Sequence, residues 1–439
     1  MDNKKFSCRF LQRAVYYAPN ELRHCCKRFF YNGKLKGDVK ILSIKSQKDV
    51  SLDSIIKEKE ILINKINNGE ETECTGCPVL EKSNWNNLKD EKFDHISIEH
   101  HSKCNMRCSY CSDVYYGGKL ANYNLVQSLD ELVAKKKIRD DAQVAWGGGE
   151  PTMSPDFKSL INYVNTSVKP KTQRFFSNAV NFSEEIADLL RKNIASLTTS
   201  VDAGSIETFK EVRGVNQYKK VLNNLKKYFD ASNNNTVIKY IFTETNSNLN
   251  DVNGFVKDIK EIGLSKANFL ISSNFKDENL TLDQGFFIIY LHSLLTSNGS
   301  LTCVLDDHVR PRINKISNDL MSANANILNY PIEIKLAINK IKKTKENLSE
   351  IIVWGIGEYA NLLLDKSFTF QDVKVKFFVD SNLHKQGTVF RGLEVFNPNI
   401  VKKHDNPILI ASSFWYHDIC NQLKDLGVDG SRIYSSSLI

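Results

Sequence analysis

The sequence predicts an α/β protein built on parallel strands, and three observations predict it. Short apolar strands alternate with amphipathic helical segments through the middle of the chain, at about two dozen residues per unit, the pattern of right-handed strand–helix–strand crossovers. Several of these strands end in glycines or small polar residues, where barrels and open α/β sheets alike gather their chemistry. The alternation then restarts near residue 351, where an apolar strand runs into a Gly-x-Gly turn and a further helix.

Taken in order, the central elements are read from their residues. Ala142–Trp146 is a short apolar strand that runs at once into Gly147, Gly148, Gly149, Glu150 and Pro151. Consecutive glycines at a strand end let the backbone approach a ligand with no side chain between. Arg174–Phe176 is a strand closed by Ser177 and Asn178, and Leu197–Val201 is one closed by Asp202. Val237–Asn246 and Ala267–Ser272 complete the run of strands. Glu184–Lys192 and Tyr218–Tyr228 carry apolar residues at helical spacing between them. Ser and Asn at such junctions are also ordinary helix N-caps, so Ser177 and Asn178 carry both readings, as does Asp202.

Upstream of these strands lies the run Cys104-Asn-Met-Arg-Cys108-Ser-Tyr-Cys111. It offers three thiolates on one short loop, one fewer than a structural tetrahedral zinc site requires. An iron–sulfur cube held this way keeps one iron open to an outside ligand. A zinc knuckle borrowing His100 or His101 is the alternative on the cysteines alone. The triad, followed about forty residues on by Gly-Gly-Glu-Pro, resembles the radical S-adenosylmethionine (SAM) superfamily. The resemblance covers residues 90–280 and implies a partial (β/α)₆ barrel. It implies a [4Fe-4S] cluster on Cys104, Cys108 and Cys111 that injects an electron into SAM and releases a deoxyadenosyl radical. It further implies SAM contacts from Gly148, Gly149, Glu150 and Pro151, from Ser177 and Asn178 near the ribose, and from Ser200 and Arg213 at the carboxylate. Tyr110 would pack beside the cluster or the adenine. A one-electron donor such as flavodoxin or ferredoxin is the implied partner.

Residues 1–89 form a cysteine-rich module. Cys8, Cys25, Cys26, Cys74 and Cys77 lie there, the last two as Cys74-Thr-Gly-Cys77-Pro78, a frequent cluster or zinc half-site. Their order resembles the auxiliary-cluster modules (SPASM and twitch types) of many radical SAM enzymes, although those modules follow the barrel. The resemblance implies a second [4Fe-4S] cluster, with Cys25 preferred over Cys26. A structural zinc site and plain buried thiols are the alternatives. Cys303 and Cys420 stand alone in apolar helical contexts and read as core.

Residues 281–345 read as a helical connector and residues 346–439 as a Rossmann-like domain of three layers. Ile351–Trp354 runs into Gly355, Gly357 and Ala360, which open an apolar helix, and Val373–Val379 ends in Asp380 about 25 residues on. That fingerprint aims a helix N-terminus at a phosphate and a carboxylate at a ribose. The stretch resembles the N-terminal domain of bacterial sugar N-acetyltransferases and the C-terminal domain of sugar C-methyltransferases. The alternatives are an unliganded scaffold and a dimerisation module.

Composition frames these readings. The 439 residues suffice for roughly two to four domains. No apolar run reaches membrane-spanning length and the N-terminus lacks a signal-peptide core, so a cytoplasmic enzyme with no membrane partner is expected. Ten cysteines in that setting point to metal sites rather than disulfides. The formal charge of +8 is spread along the chain without a basic, aromatic stripe, so no nucleic-acid partner is expected. The expected function is radical modification of a C–H bond in a nucleotide-sugar or glycan precursor, by epimerisation, dehydrogenation or rearrangement. A peptide substrate is the second reading, and a non-catalytic metal-binding assembly factor the third.

Overall fold

A run of short strands opens the chain: β1 (Lys5–Ser7), α1 (Arg9–Arg13), β2 (Ala14–Tyr17), β3 (Glu21–Arg23), β4 (Arg28–Tyr31), β5 (Lys34–Gly37), β6 (Lys40–Ser43), α2 (Leu52–Asn67) and β7 (Glu81–Ser83). The expected alternation follows as β8 (Phe93–Ile98), α3 (Leu125–Ala134), β9 (Ile138–Trp146), α4 (Phe157–Tyr163), β10 (Thr172–Phe176), α5 (Glu184–Arg191), β11 (Ala195–Ser200), α6 (Ile206–Arg213), α7 (Tyr218–Ala231) and β12 (Thr236–Phe242). The structure, a computed structural model, describes residues 4–111, 118–232, 234–322, 346–366, 370, 373–412 and 416–435. It divides into two units, the first comprising Met1–Ile241, Lys257–Asn268 and Asn274–Glu278, the second Phe242–Val256, Phe269–Ser273 and Asn279–Ile439.

In the first unit β8 to β12 are parallel neighbours in chain order, so all five C-terminal ends fall on one edge. Ile98 stands opposite Trp146, and Trp146 opposite Phe175, which sets the loops after β8, β9 and β10 side by side. This is the parallel sheet the sequence predicts for a partial radical SAM barrel. Trp146 is fully buried and stacks on Phe175 at 5.6 Å, and the helices lay apolar stripes on the sheet. In α5 the stripe is Ile186, Ala187, Leu189 and Leu190, behind an N-cap at Ser183 whose side chain accepts from the Ile186 N–H. The N-terminal strands continue this same sheet. The apolar, fully buried β2 pairs parallel with β8, and β3 and β6 extend it antiparallel.

The second unit draws on α8 (Leu249–Glu261), β13 (Asn268–Ser273), α9 (Leu282–Ser297), β14 (Thr302–Leu305) and α10 (Val309–Ser322). The connector expected to be helical over 281–345 thus includes a strand, and its residues 323–345 lie outside the described residues. Cys303, expected in a helix, is buried in β14: a four-residue apolar run cannot declare its period from sequence.

The unit ends in β15 (Glu350–Trp354), α11 (Glu358–Lys366), β16 (Lys374–Val379), β17 (Val389–Phe390), β18 (Leu393–Phe396), β19 (Ile408–Ile410), α12 (Tyr416–Asp425) and β20 (Ile433–Ser435). The sheet order is β17-β18-β16-β15-β19-β20, parallel except at the β17 edge. Alternate residues of β15 face opposite cores. Ile351 and Val353 pack with Ala360 and Leu363 of α11, whereas Ile352 and Trp354 pack with Ile419 and Leu423 of α12. Strand order reverses between β15 and β19, so the C-terminal ends of those two strands border a topological switch point.

Candidate functional site: the strand ends of the first unit

The cysteine loop leaves β8 and is fastened on both sides by backbone hydrogen bonds. On one side the Gly147 N–H donates to Ile98 O (3.1 Å), the Gly149 N–H to His101 O (3.0 Å) and the Glu150 N–H to Lys103 O (2.8 Å). On the other, the Arg107 N–H donates to Arg213 O (3.0 Å) and the Ser109 N–H to Val212 O (2.9 Å), at the C-terminal end of α6. Glycine is required where these segments meet. A Cβ on Gly149 would stand 2.2 Å from Lys103 O, and one on Gly214 would stand 2.6 Å from Arg107 O. Gly148 adopts φ +85°, and its Cβ would touch the Glu99 backbone at 3.0 Å. Cys104 and Cys111 are exposed and Cys108 is half-buried.

Glu150 acts as a strut between β9 and β10. It is 2% exposed, and one carboxylate oxygen accepts from the Ser177 hydroxyl (2.9 Å) and the Thr152 hydroxyl (2.7 Å). The other oxygen accepts from the Asn178 N–H at 2.7 Å. Burial raises its pKa, and these donors oppose the rise. Pro151 is buried and starts the short turn behind the carboxylate. The Asn178 amide reaches the loop itself, donating to Asn105 Oδ1 (2.6 Å) and lying 3.6 Å from Cys104 Sγ. Ser177, Asn178, Glu150 and Cys104 therefore form one connected group.

Arg213 and Tyr110 meet at Asp202, a residue the sequence left open between structural and functional readings. The Arg213 guanidinium pairs with the fully buried Asp202 carboxylate at 2.9 Å and also donates to the Tyr110 hydroxyl, which in turn donates to Asp202. Asp202 further accepts from the Ile241 N–H at 2.7 Å. Burial raises the Asp202 carboxyl and the Arg213 charge opposes that rise. Arg213, expected at the SAM carboxylate, thus carries its own counter-ion, and Tyr110 is held by hydrogen bonds rather than by packing alone. Asp202 has φ +61°, a left-handed conformation that Asp tolerates but that no sequence pattern announced. Ser200 ends β11, half-buried and in register with Lys239. Phe176, also missed in the sequence, is 42% exposed at the end of β10 and lies beside Gly147.

His100 lies 3.4 Å from Asp156, and that contact, its largest cause, holds the Asp156 carboxyl below its ordinary range. This engages one of the two histidines from which a zinc knuckle would draw its fourth ligand. Among the described residues, no three His, Cys, Asp or Glu side chains close on a single point. The donor set nevertheless suits an iron–sulfur cube: three thiols on one fastened loop, two of them open to solvent, with glycine backbone alongside.

In the second unit Gly355 has φ +100°, and its Cβ would stand 3.2 Å from Ala411 O across the switch point. Gly357 is exposed, while Ala360 is buried under α11. Asp380, expected at a ribose, accepts from the Ile356 N–H (3.2 Å) and the Asn382 N–H (2.9 Å). Lys385 bridges it to Ile356 O, at 3.1 and 3.0 Å. The carboxylate therefore fastens the glycine turn.

Residues 98–259 match the family described as the Radical SAM superfamily, and residues 347–434 match one described as C2185-like, N-terminal. The chain is 20% identical over 267 residues to a GTP 3',8-cyclase of Vibrio parahaemolyticus, spanning 60% of this chain and 80% of that protein. It is 27% identical over 184 residues to a probable GTP 3',8-cyclase of Saccharolobus islandicus, spanning 38% and 57%. It spans about half the length of several other curated relatives, such as the 47% covered of a Haemophilus influenzae GTP 3',8-cyclase. Among solved structures, Streptococcus suis SuiB bound to the precursor peptide SuiA is similar at TM-score 0.39 and 13% identity, over 69% of this chain and 72% of that one. Native anSMEcpe with bound AdoMet and Kp18Cys peptide gives TM-score 0.38 and 16% identity, over 48% and 63%. The three-cysteine loop, the Gly-Gly-Glu-Pro turn and the match over residues 98–259 together make this part of the chain a domain of the radical SAM superfamily, whose enzymes use a [4Fe-4S] cluster and SAM.

Proposed function

We propose that this enzyme cleaves SAM reductively at the loop after β8 and modifies a C–H bond of a nucleotide-linked small molecule, a nucleotide-sugar or glycan precursor. The observation that carries the reading is the fastening of the Cys104–Cys111 loop to the Gly147–Glu150 turn and to the end of α6. When bound, the cluster and SAM supply the electron and the hydrogen-abstracting radical. Cys104, Cys108 and Cys111 would hold the cluster. The remaining residues bind, orient and exclude water. Gly148 and Gly149 present bare backbone beside the thiols, and Asn178 steadies Cys104. Glu150 keeps the β9 and β10 ends in register through Ser177 and Asn178. Asp202 aligns Arg213 and Tyr110 next to Cys108, where burial raises the thiol and the guanidinium opposes that rise. Ser200 offers a hydroxyl on the same edge. The reducing electron would come from a flavodoxin- or ferredoxin-type protein in the cytoplasm.

A nucleotide-linked substrate is supported by the relatives named GTP 3',8-cyclase, whose name gives GTP as what they act on. The switch point at the C-terminal ends of β15 and β19, where α11 begins, adds a second place where a phosphate could meet a helix N-terminus. The test is anaerobic incubation of the reconstituted, reduced protein with SAM and deuterated GTP or nucleotide-sugars. The expected result is deoxyadenosine carrying deuterium from one of them. Deoxyadenosine labelled only from an added peptide overturns the substrate, and no deoxyadenosine under any condition overturns the radical reading.

A further inference from the structure

Upstream of the barrel loop, four cysteines from three chain segments are brought together under α2. Cys8 caps α1, its sulfur accepting from the Leu11 N–H at 3.4 Å. The β1–β7 ladder sets Ser7 opposite Glu81, and the Leu80 N–H donates to Cys77 O (3.2 Å), so Cys8 and Cys77 each flank the same short ladder. The Cys77 N–H donates to Cys74 O at 3.0 Å, closing the tight Cys74–Cys77 turn around Gly76 at φ +79°. Cys25 follows β3, where the His24 N–H donates to Val39 O at 3.1 Å. Cys25, Val39 and Cys74 share one buried cluster walled by Phe10, Leu62 and Ile66.

Two side chains in this pocket lack the surroundings that an ordinary core supplies. His24 is 1% exposed, and neither ring nitrogen has a hydrogen-bond partner. A buried imidazole left this way destabilises the fold unless something else accepts or donates there. Lys59 is 1% exposed. Its ammonium donates to Ala14 O at 2.6 Å and lies 5.0 Å above the Phe93 ring, with Cys8, Asp94 and Cys25 as its acidic neighbours. Thiolates held on a metal would give this buried cation its countercharge. Cys26 stands apart, exposed, with its sulfur 3.7 Å from the Tyr16 hydroxyl.

We propose that Cys8, Cys25, Cys74 and Cys77 hold a second, solvent-shielded metal–thiolate centre, with Cys26 outside it, His24 hydrogen-bonding to it and Lys59 balancing its charge. The shared chemistry is four thiolates on a thiophilic centre, an iron–sulfur cube or a zinc ion. Each thiol gives its proton to water on ligation and no electron moves. As at the barrel triad, ligation must draw in sulfurs that do not yet close on one point.

The test is independent of the barrel site. Iron, zinc and sulfide are measured in anaerobically reconstituted full-length protein carrying C104A, C108A and C111A. The expected result is about four iron atoms with sulfide, or about one zinc, per chain. Adding Cys25→Ser or Cys74→Ser should remove most of that metal, whereas adding Cys26→Ser should leave it unchanged. The two metals are the two arms of the test. Because a Cys25 or Cys74 variant could fail to fold, thiol alkylation of the metal-loaded wild-type protein is read in parallel. Cys26 should label at once, and Cys8, Cys25, Cys74 and Cys77 only after chelation. A metal-free triple variant, or equal labelling with and without chelator, overturns the proposal.

Discussion

The two cysteine sets of the first unit are assembled in opposite ways. Cys104, Cys108 and Cys111 are neighbours in sequence on a loop whose backbone is tied down while two of its thiols face solvent. Cys8, Cys25, Cys74 and Cys77 come from distant segments, and the first three are buried. A local motif needs only its own loop and two flanking anchors, so one side can stay open to a small molecule. A set gathered from three segments exists only once strands and helices have packed, and the packing that gathers it also closes it. The first arrangement suits chemistry on an outside ligand, and the second suits a centre that no substrate touches.

The largest expected effect breaks the comparison at its open side. Replacing Cys104, Cys108 and Cys111 together with Ala should reduce deoxyadenosine formation to background while circular dichroism stays that of the wild type. Next comes Asp202→Ala, which leaves Arg213 buried without its counter-ion. Denaturant titration should show a loss of roughly 3–5 kcal/mol. Gly149→Ala drives a methyl into Lys103 O and should displace the loop carrying Cys104. SAM cleavage should fall by about 100-fold, with deoxyadenosine formation as the measurement. The smallest effect belongs to the closed side. Gly76→Ala meets the Tyr31 ring at 2.1 Å in a left-handed turn, but the obstacle is a movable side chain rather than backbone. A stability loss of about 1 kcal/mol is expected, with the rate of SAM cleavage unchanged.

Much of the fold was legible because its signals are local. The strand–helix alternation from Ala142 to Phe242 became the four parallel strands β9 to β12 in chain order, and the glycine turn after Trp146 lies against the cysteine loop. Pairing across distance was not legible. Nothing in Ala14–Tyr17 announces that β2 joins the edge of β8, because an apolar run of that length carries no address. Which of Cys25 and Cys26 is buried was likewise decided by tertiary packing, as one thiol turns into the Val39 cluster and its neighbour toward Tyr16. Asp202 escaped because its role depends on a left-handed backbone and three long-range partners. In the C-terminal sheet the Gly355–Ala360 fingerprint marked the turn, but sequence alone could not tell that Asp380 would hold that turn through the Ile356 N–H.

The central claim, an open three-thiolate site that receives SAM, is tested most directly by low-temperature EPR of the reduced, anaerobically reconstituted protein with and without SAM. SAM should alter the spectrum of the wild type, and any signal that persists in the protein carrying C104A, C108A and C111A should be indifferent to it. A wild-type spectrum unchanged by SAM, or a SAM-sensitive signal surviving in the triple variant, would contradict the assignment of the open site to those three cysteines.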